Sequence, residues 1–134
     1  MSRTKSFLAL DVGEKRIGVA ISDDMVRIAV PLETLDVDGS EIEQIARLVI
    51  DERVDTVVVG YPRNQSGEAT AQTEYVETFA RRLEDIAPKL VFQDESLTSV
   101  LAEQQLKKYG RPYTKGDIDA QAAVLILTDF LEQR

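Results

Sequence analysis

The sequence predicts an α/β fold, a five-stranded mixed sheet with helices on both faces, and three observations support it. Two short apolar segments, residues 7–10 and 17–21, flank a turn of glycine and charged residues, which predicts an antiparallel hairpin. Residues 55–60 form an apolar segment typical of a strand in a parallel sheet. Segments with helical spacing alternate with the later strands. We expect the 134 residues to form one domain, residues 1–134.

The first three strands are expected to be antiparallel to their neighbours. The third, residues 26–35, contains Pro31, which indicates a sheet edge or a bulge because proline cannot donate a ladder hydrogen bond. A helix is predicted to begin at Ser40, because Ser40 and Glu43 have the spacing of a capping box. Residues 55–60 then form the fourth strand.

The second half of the chain alternates helices with one more strand. Residues 60–67 contain glycine, proline, asparagine and serine, which predicts a loop. A helix is predicted over roughly residues 68–87, with Pro88 ending it. The fifth strand, parallel to the fourth, and two last helices are expected at residues 89–93, at residues 97–109 and from Asp117 to the end.

Composition restricts the available chemistry. The chain has no Cys and no His, which excludes thiolate nucleophiles, imidazole bases and the usual zinc ligands. An enzyme of this composition would rely on carboxylates, and a bound metal would be an ion that prefers oxygen, Mg²⁺ or Mn²⁺. The absence of cysteine, of an N-terminal secretion signal and of a long apolar run favours a cytoplasmic protein that does not enter membranes.

Three acidic residues occupy unusual positions. Asp11 ends the first apolar strand, Glu95 follows the fifth together with Asp94, and Asp119 heads the apolar side of the last helix. A turn or capping role would explain Asp11, and the helix dipole would explain Asp119 in a first turn, with Asp117 as the N-cap. Ligands bind beyond the carboxyl ends of strands in open α/β sheets, so the three carboxylates are also a candidate metal site.

Basic residues are unevenly distributed in a chain with a net charge of −8. That net charge argues against strong, non-specific binding of nucleic acid, but it leaves room for a small basic site. Solvated turns are the alternative reading of each basic segment, and Tyr109 and Tyr113 either stack on bases or pack locally. The candidate nucleic-acid contacts are Lys15, Arg16, Arg63, Asn64, Lys107, Lys108, Arg111 and Lys115.

Four motifs resemble those of the YqgF (RuvX) family of Holliday-junction-resolvase-like nucleases. Residues 11–20 read DVGEKRIGVA, like the family's opening motif, and residues 60–67 read GYPRNQSG, like its G-x-P loop. Residues 94–99 read DESLTS, and residues 115–123 read KGDIDAQAA, like its last two motifs. The motifs occur in order across essentially the whole chain, so their combination is more specific than any one alone.

The resemblance implies an RNase H-like fold and a metal-dependent nuclease. It implies that Asp11, Glu95 and Asp119 are catalytic ligands of two Mg²⁺ or Mn²⁺ ions, that a water activated there is the nucleophile, and that Asp94 supports Glu95. It also implies a nucleic-acid partner, structured RNA in 5′-end processing of pre-16S rRNA, or alternatively branched DNA in junction resolution. Junction resolution would favour a homodimer over a monomer.

One departure from the family motif and one other protein class leave other functions open. The family motif usually has Arg after the glutamate, whereas this chain has Ser96, which removes a planar cationic donor suited to phosphate. A non-catalytic module that binds RNA or a ribosome-assembly factor is therefore an alternative. Actin-like and Hsp70-like ATPases also open with an Asp-x-Gly hairpin, but they need two such domains and several hundred residues.

Overall fold

The computed structural model describes residues 4–62, 70–95 and 98–134. Nine elements are present in these ranges, and their order along the chain is β1 (Ser6–Val12), β2 (Arg16–Asp23), β3 (Val30–Asp36), α1 (Glu41–Asp51), β4 (Val54–Pro62), α2 (Ala71–Arg82), β5 (Lys89–Glu95), α3 (Thr98–Lys108) and α4 (Lys115–Glu132).

The five strands form one mixed sheet in the order β3-β2-β1-β4-β5. Strand β2 pairs antiparallel with both β1 and β3, whereas β4 pairs parallel with both β1 and β5. The predicted sheet is therefore confirmed, including its division into antiparallel and parallel halves. Because β1, β4 and β5 run in the same direction, their carboxyl ends meet at one end of the sheet.

Alternate residues of the central strands serve two different cores. One face packs against α1 and α2 through large aliphatic side chains, such as Leu8 and Leu10 of β1 and Val57 of β4. The opposite face carries smaller residues, including Ala9 and Ala20, against which α4 packs. Small side chains let α4 lie close to the sheet. The buried side chains of α4 on this face are Ala123, Ile126, Leu127 and Leu131.

Strand β3 begins at Val30, later than the predicted residue 26. The side chain of Asp23 accepts hydrogen bonds from the backbone amides of Met25 and Val26, at 3.0 and 2.7 Å, which forms a turn instead of a strand. Arg27 then adopts a positive φ of 59°. The position of Pro31 is as expected, because β3 is an edge strand and its register with β2 shifts between Val19 and Ala20.

Helix α1 begins as predicted after Ser40, but the capping box is wrong. The Ser40 hydroxyl donates to Asp38 Oδ1 at 2.6 Å, so it makes no cap on the helix. Glu41 is buried, accepts from the Gly39 amide at 2.7 Å and lies 4.0 Å from Arg82 of α2. The predicted capping box does not form because Asp38, two residues before Ser40, binds the serine hydroxyl group instead.

Helix α4 begins earlier than expected. Thr114 is its N-cap and forms a capping box with Asp117, so Asp117 is the third helical residue and not the cap. Asp119 is consequently the fifth residue of α4 and lies beyond the first turn. A helix-dipole role explains Asp119 less well at this position, because the dipole effect falls off within the first turn.

The ends of the other predicted elements differ by several residues. Helix α2 ends at Arg82 and is followed by turns, whereas Pro88 was expected to end it. Strand β5 extends through Glu95, so Asp94 and Glu95 belong to the strand. Gly110 has a φ of 72° after α3, as expected for a C-terminal cap. Among the described residues, none of the helices has the length and apolar character needed to cross a membrane.

Candidate metal centre and nucleic-acid cleft

Two carboxylates meet at the carboxyl ends of the parallel strands. Asp11 lies on β1 on the face that carries Phe7 and Ala9, which is the face covered by α4. Glu95 is the last residue of β5. Gly60 of β4 lies between them, and a Cβ atom there would be 3.1 Å from the Glu95 carboxyl group. The missing side chain at Gly60 therefore provides the space in which Glu95 reaches over β4.

The third carboxylate reaches this place through a contact between α4 and β2. Gly18 pairs with Asp11 across the hairpin. A Cβ atom on Gly18 would lie only 1.9 Å from the carbonyl oxygen of Asp119. Only glycine permits so close an approach of the helix backbone. Gly18 thus determines that α4 crosses β2 directly beside Asp11.

The pKa of Asp11 reflects both its burial and its two acidic neighbours. The pKa of Asp11 is raised from 3.8 to about 8, first by burial and then by the negative charges of Glu95 and Asp119. Burial and like charges both disfavour the ionised carboxyl group. A bound cation would remove this repulsion, and three carboxylates are the ligand type that Mg²⁺ and Mn²⁺ prefer. The donor set at Asp11 therefore fits a divalent ion.

The side chain of Asp119 is also held by Arg16. Arg16 Nε donates to Asp119 Oδ2 at 2.6 Å, and both side chains are partly buried. Within the described ranges, no three acidic side chains stand close enough together to hold one ion. Ligation by all three carboxylates would therefore require at least one of them to rotate from the position seen here.

An open cleft of about 400 Å³ lies beside Asp119. Gln72, near the start of α2, lies on one side of it and donates through Nε2 to the carbonyl oxygen of Val12 at 3.1 Å. The turn between β1 and β2 lies on the other side. The lining residues are Gly13, Glu14, Lys15, Arg16, Gln72 and Asp119. Two of the predicted nucleic-acid contacts, Lys15 and Arg16, thus line the same cleft as Asp119, one of the candidate metal ligands.

Asp94 lies on the opposite face of the sheet from Glu95. It lines a different cleft of about 500 Å³ together with Glu77 and Arg81 of α2. Consecutive residues of a strand point to opposite faces, so only one of the two acids can face α4. The structure brings Glu95, and not Asp94, towards Asp11.

The other predicted nucleic-acid contacts are spread over a wider surface. Lys107 and Lys108 are exposed at the end of α3, Arg111 follows in the connection to α4, and Lys115 is the first residue of α4. Lys115 therefore lies about one helical turn before Asp119. Arg63, Asn64 and Ser96 lie outside the described residues.

The two candidate stacking tyrosines differ. Tyr113 donates its hydroxyl hydrogen to Glu103 at 2.8 Å, which raises the pKa of the phenol and holds the ring against α3. Tyr109 remains 57% exposed. Tyr113 therefore packs locally, which was one of its two predicted roles. Tyr109 is exposed enough for its ring to stack on a base.

Three site residues were not singled out from the sequence: Gly18, Gly60 and Gln72. The two glycines lie inside strand-like segments, where glycine often marks a close approach of another backbone, and this was the available signal. Nothing in the local sequence distinguishes Gln72 from any polar helix residue. Its role depends on the way α2 returns to the end of β1.

Comparison with known proteins identifies relatives over nearly the whole chain. A family model described as "RuvX: Holliday junction resolvase" matches residues 5–133. A protein of Chloroflexus aurantiacus named "Putative pre-16S rRNA nuclease" is 50% identical over 133 residues, covering 95% of this chain and 86% of the relative. A Synechocystis protein with the same name is 43% identical over 139 residues, covering 100% of this chain and 91% of the relative.

Solved structures with the same fold are also known. RuvC of Thermus thermophilus in complex with a Holliday junction substrate aligns with a TM-score of 0.57 and 14% identity, covering 96% of this chain and 95% of that chain. The Fowlpox virus resolvase with Holliday junction DNA aligns with a TM-score of 0.54 and 14% identity, covering 96% and 97%. At this identity the likeness concerns the fold alone, and it confirms the predicted RNase H-like fold.

Proposed function

The chain belongs to the RuvX family, and we propose from this membership and from its carboxylate cluster that it is a metal-dependent nuclease that hydrolyses phosphodiester bonds. The observation that carries the proposal is that carboxylates from three elements approach one end of the sheet, where Gly60 leaves room for Glu95 and Gly18 brings Asp119 beside Asp11. The raised pKa of Asp11, caused first by burial and then by the charges of Glu95 and Asp119, agrees with this geometry. Nothing in the packing of β1, β5 and α4 requires an acidic residue from each of them to approach the same end of the sheet. A bound cation would stabilise such an arrangement, because its positive charge offsets the repulsion between the carboxylates.

In the proposed site, Asp11, Glu95 and Asp119 hold two divalent ions, Mg²⁺ or Mn²⁺. Two such ions, when bound, polarise the phosphodiester, favour ionisation of an attacking water and stabilise the leaving oxygen. The residues of the chain bind and orient the ions, while Gly60 leaves room for Glu95 and Gly18 lets α4 approach β2 closely. The absence of His and Cys is compatible with this chemistry, since it needs neither residue.

The proposed substrate is RNA, in 5′-end processing of pre-16S rRNA. This choice follows the names of relatives that are 43–50% identical and covered over most of their length. The alternative substrate is a Holliday junction, which the description of the family model favours. A third outcome, binding without cleavage, would agree with a module that serves ribosome assembly. The intracellular setting of ribosome assembly and junction repair would place the protein in the cytoplasm, as a monomer or a homodimer.

The test compares the wild-type protein with Asp11→Asn, in the presence of Mn²⁺ or Mg²⁺. The substrates are an RNA fragment with an extended 16S 5′ end, an unrelated RNA hairpin of equal length and a four-way DNA junction. Loss of one ligand removes several kcal/mol of stabilisation from the transition state. We therefore expect cleavage by Asp11→Asn to fall by roughly 100-fold or more. Asp51→Asn, an exposed acid on α1, is the matched control and should cleave as wild type does.

The outcomes separate the three functions. Preferential cleavage of the extended 16S fragment supports rRNA processing, and preferential cleavage of the four-way junction supports a resolvase. If the wild-type protein binds RNA and cleaves none of the three substrates, or if Asp11→Asn cleaves equally well, the nuclease proposal is wrong. Titration of Mn²⁺ by calorimetry gives an independent readout, because Asp11→Asn should weaken ion binding while Asp51→Asn should not.

A further inference from the structure

Arg16 has a guanidinium group with one side engaged and one side available. Its Nε donates to Asp119 Oδ2 at 2.6 Å. Within the described ranges, the structure gives its two terminal nitrogens no other hydrogen bond, and the side chain keeps 33% of its exposed area. A guanidinium carries five N–H donors in a flat fork, so the engaged Nε leaves four donors on Nη1 and Nη2. These donors belong to the residue that already contacts a candidate metal ligand.

We propose that Arg16 holds the scissile phosphate of the nucleic acid beside the carboxylates. In this arrangement Nε donates to Asp119, while Nη1 and Nη2 donate to the non-bridging oxygens of one phosphodiester. The planar fork of arginine suits a two-oxygen contact with phosphate. The inference rests on the proposed nuclease function, and it assigns to one side chain the alignment of substrate with the catalytic site.

The backbone of Arg16 is fixed by the hairpin. The Gly13 amide donates to the Arg16 carbonyl oxygen at 3.0 Å, which closes the turn between β1 and β2. A Cβ atom on Gly13 would lie 2.7 Å from that oxygen, so the tight turn depends on glycine. On its other side, Arg16 pairs with Asp36 at the end of β3. A residue held in this way loses little conformational freedom when it binds phosphate.

The surroundings of Arg16 have the shape and the charges for a phosphate backbone. The cleft beside it is about 400 Å³, is open to solvent and is lined in part by the β1–β2 turn. Lys15 is exposed at the rim of this cleft and adds a second positive charge. Glu14, also at the rim, and Asp119 bring negative charge, so the cleft is not a general anion site. Phosphate is expected to bind where Arg16 offsets the charge of Asp119.

Lys15 and Arg16 should therefore contribute in different ways. Lys15 is exposed and makes no contact with the carboxylates in the described residues, so it should act through charge and favour association. Arg16 joins substrate and Asp119, so it should mainly affect the rate of the chemical step. A lysine at position 16 keeps the charge but has a single nitrogen, which cannot reproduce the two-sided contact.

The experiment measures steady-state cleavage with Mn²⁺ for wild type, Arg16→Lys, Lys15→Gln and Lys89→Gln. For Arg16→Lys we expect kcat to fall by about 100-fold, with KM changed less than about threefold, because a contact made in the transition state is lost. Lys15→Gln should mainly raise KM. Lys89→Gln removes the same charge at the amino end of β5, opposite the carboxylates, and should cleave as wild type does.

A Mn²⁺ titration separates phosphate alignment from a purely structural role. We expect Arg16→Lys to bind Mn²⁺ within about threefold of the wild-type affinity, because the lysine charge still neutralises Asp119. If the affinity for Mn²⁺ falls in step with kcat, Arg16 serves only to place Asp119, and the inference is wrong. Equal kcat values for Arg16→Lys and wild type would also overturn it.

A binding measurement in EDTA keeps the inference testable even if no substrate is cleaved. Fluorescence anisotropy with labelled RNA compares wild type, Arg16→Gln and Lys89→Gln over a range of NaCl concentrations. We expect Arg16→Gln to bind several-fold more weakly, with a log–log salt slope reduced by about 0.7 for single-stranded RNA, as for the loss of one phosphate contact. If Arg16→Gln binds as Lys89→Gln does, Arg16 makes no phosphate contact. Wild-type protein that binds but does not cleave would contradict the nuclease proposal alone.

Discussion

The carboxyl group of Asp11 is costly to ionise. It lies near the end of a buried strand, and burial together with Glu95 and Asp119 raises its pKa to about 8. The unfolded chain has no such neighbours, so Asp11 there keeps its ordinary pKa of 3.8. Its contribution to stability is therefore full below about pH 4 and is lost as the pH rises towards 8. The site is built at the expense of stability, which is common where function requires like charges to meet.

This electrostatic cost predicts a stabilising substitution. In EDTA, Asp11→Asn should unfold at a higher temperature than wild type, and the difference should grow between about pH 5 and pH 8. We expect the difference in the free energy of unfolding to be roughly 2 kcal/mol at pH 9. Thermal unfolding followed by circular dichroism measures this difference. Asp51→Asn is the control for the removal of a negative charge elsewhere on the protein.

The same measurement with Mn²⁺ should show a smaller stability advantage for Asp11→Asn. A ligand that binds only the folded state stabilises it by mass action, so Mn²⁺ should raise the melting temperature of wild type more than that of Asp11→Asn. A melting-temperature difference that is independent of pH in EDTA would show that the carboxylates do not repel one another.

The crossing of β2 by α4 determines where Asp119 lies. The contact is a backbone contact, since a Cβ atom on Gly18 would lie 1.9 Å from the Asp119 carbonyl oxygen and 2.8 Å from the Ala120 amide nitrogen. Side-chain rotation cannot relieve such a clash. Any side chain at position 18 must therefore move the helix away from the sheet, and with it the carboxylate of Asp119.

We expect Gly18→Ala to lose most of the cleavage activity and to weaken Mn²⁺ binding at least tenfold, with a destabilisation of roughly 1–3 kcal/mol from overpacking. Calorimetry with Mn²⁺ and denaturant unfolding measure the two effects. Gly116→Ala is the matched control in the same helix, because a Cβ atom there would meet its neighbours at 3.6 Å, an ordinary contact. It should be neutral or stabilising by up to about 1 kcal/mol.

An intact Mn²⁺ affinity in folded Gly18→Ala would contradict the role assigned to this glycine.

A second variant tests whether the close packing of α4 on the sheet also depends on glycine in β4. Gly60→Ala would place a Cβ atom 2.5 Å from Ile126 Cδ1, the end of a flexible side chain. Adding Ile126→Val removes that atom, so the double variant should recover stability relative to Gly60→Ala alone.

The distribution of charge over the whole molecule is uneven. The net charge is −8, yet Lys107, Lys108, Arg111 and Lys115 form a basic group at the end of α3 and the start of α4. The acidic remainder repels nucleic acid, so approach from this side is favoured. Because Lys115 precedes Asp119 by about one helical turn, a strand bound to the basic group would lead towards the carboxylates.

Reversal of part of this charge should weaken nucleic-acid binding. We expect the double variant Lys107→Glu/Lys108→Glu to bind RNA at least about tenfold more weakly at low salt, with a reduced salt slope, because two phosphate contacts are lost. The control is Lys5→Glu/Lys89→Glu, which makes the same charge change at the amino ends of β1 and β5. Equal binding by both double variants would mean that only net charge matters. Fluorescence anisotropy in EDTA measures both.

The hairpin, the buried parallel strand and the long helices could be predicted from sequence because their signals are local. Apolar runs, glycine turns and helical spacing report on neighbours a few residues away. The capping box at Ser40 failed for a local reason as well, since Asp38 competes for the same hydroxyl group. The first residue of β3 was missed because the side chain of Asp23 forms a turn with Met25 and Val26.

The sequence by itself determined which chemistry is available and which acids are candidates. Without His or Cys, an enzyme of this sequence would rely on carboxylates, and a bound metal would be an ion that prefers oxygen, with Asp11 and Glu95 at strand ends as candidate ligands. The tertiary structure alone decided that Glu95 and not Asp94 faces Asp11, that Gly18 admits α4, and that Arg16 joins Asp119. These facts depend on contacts between residues up to 103 positions apart. Local propensity cannot specify such contacts, because they arise only when β2 and α4 pack against each other.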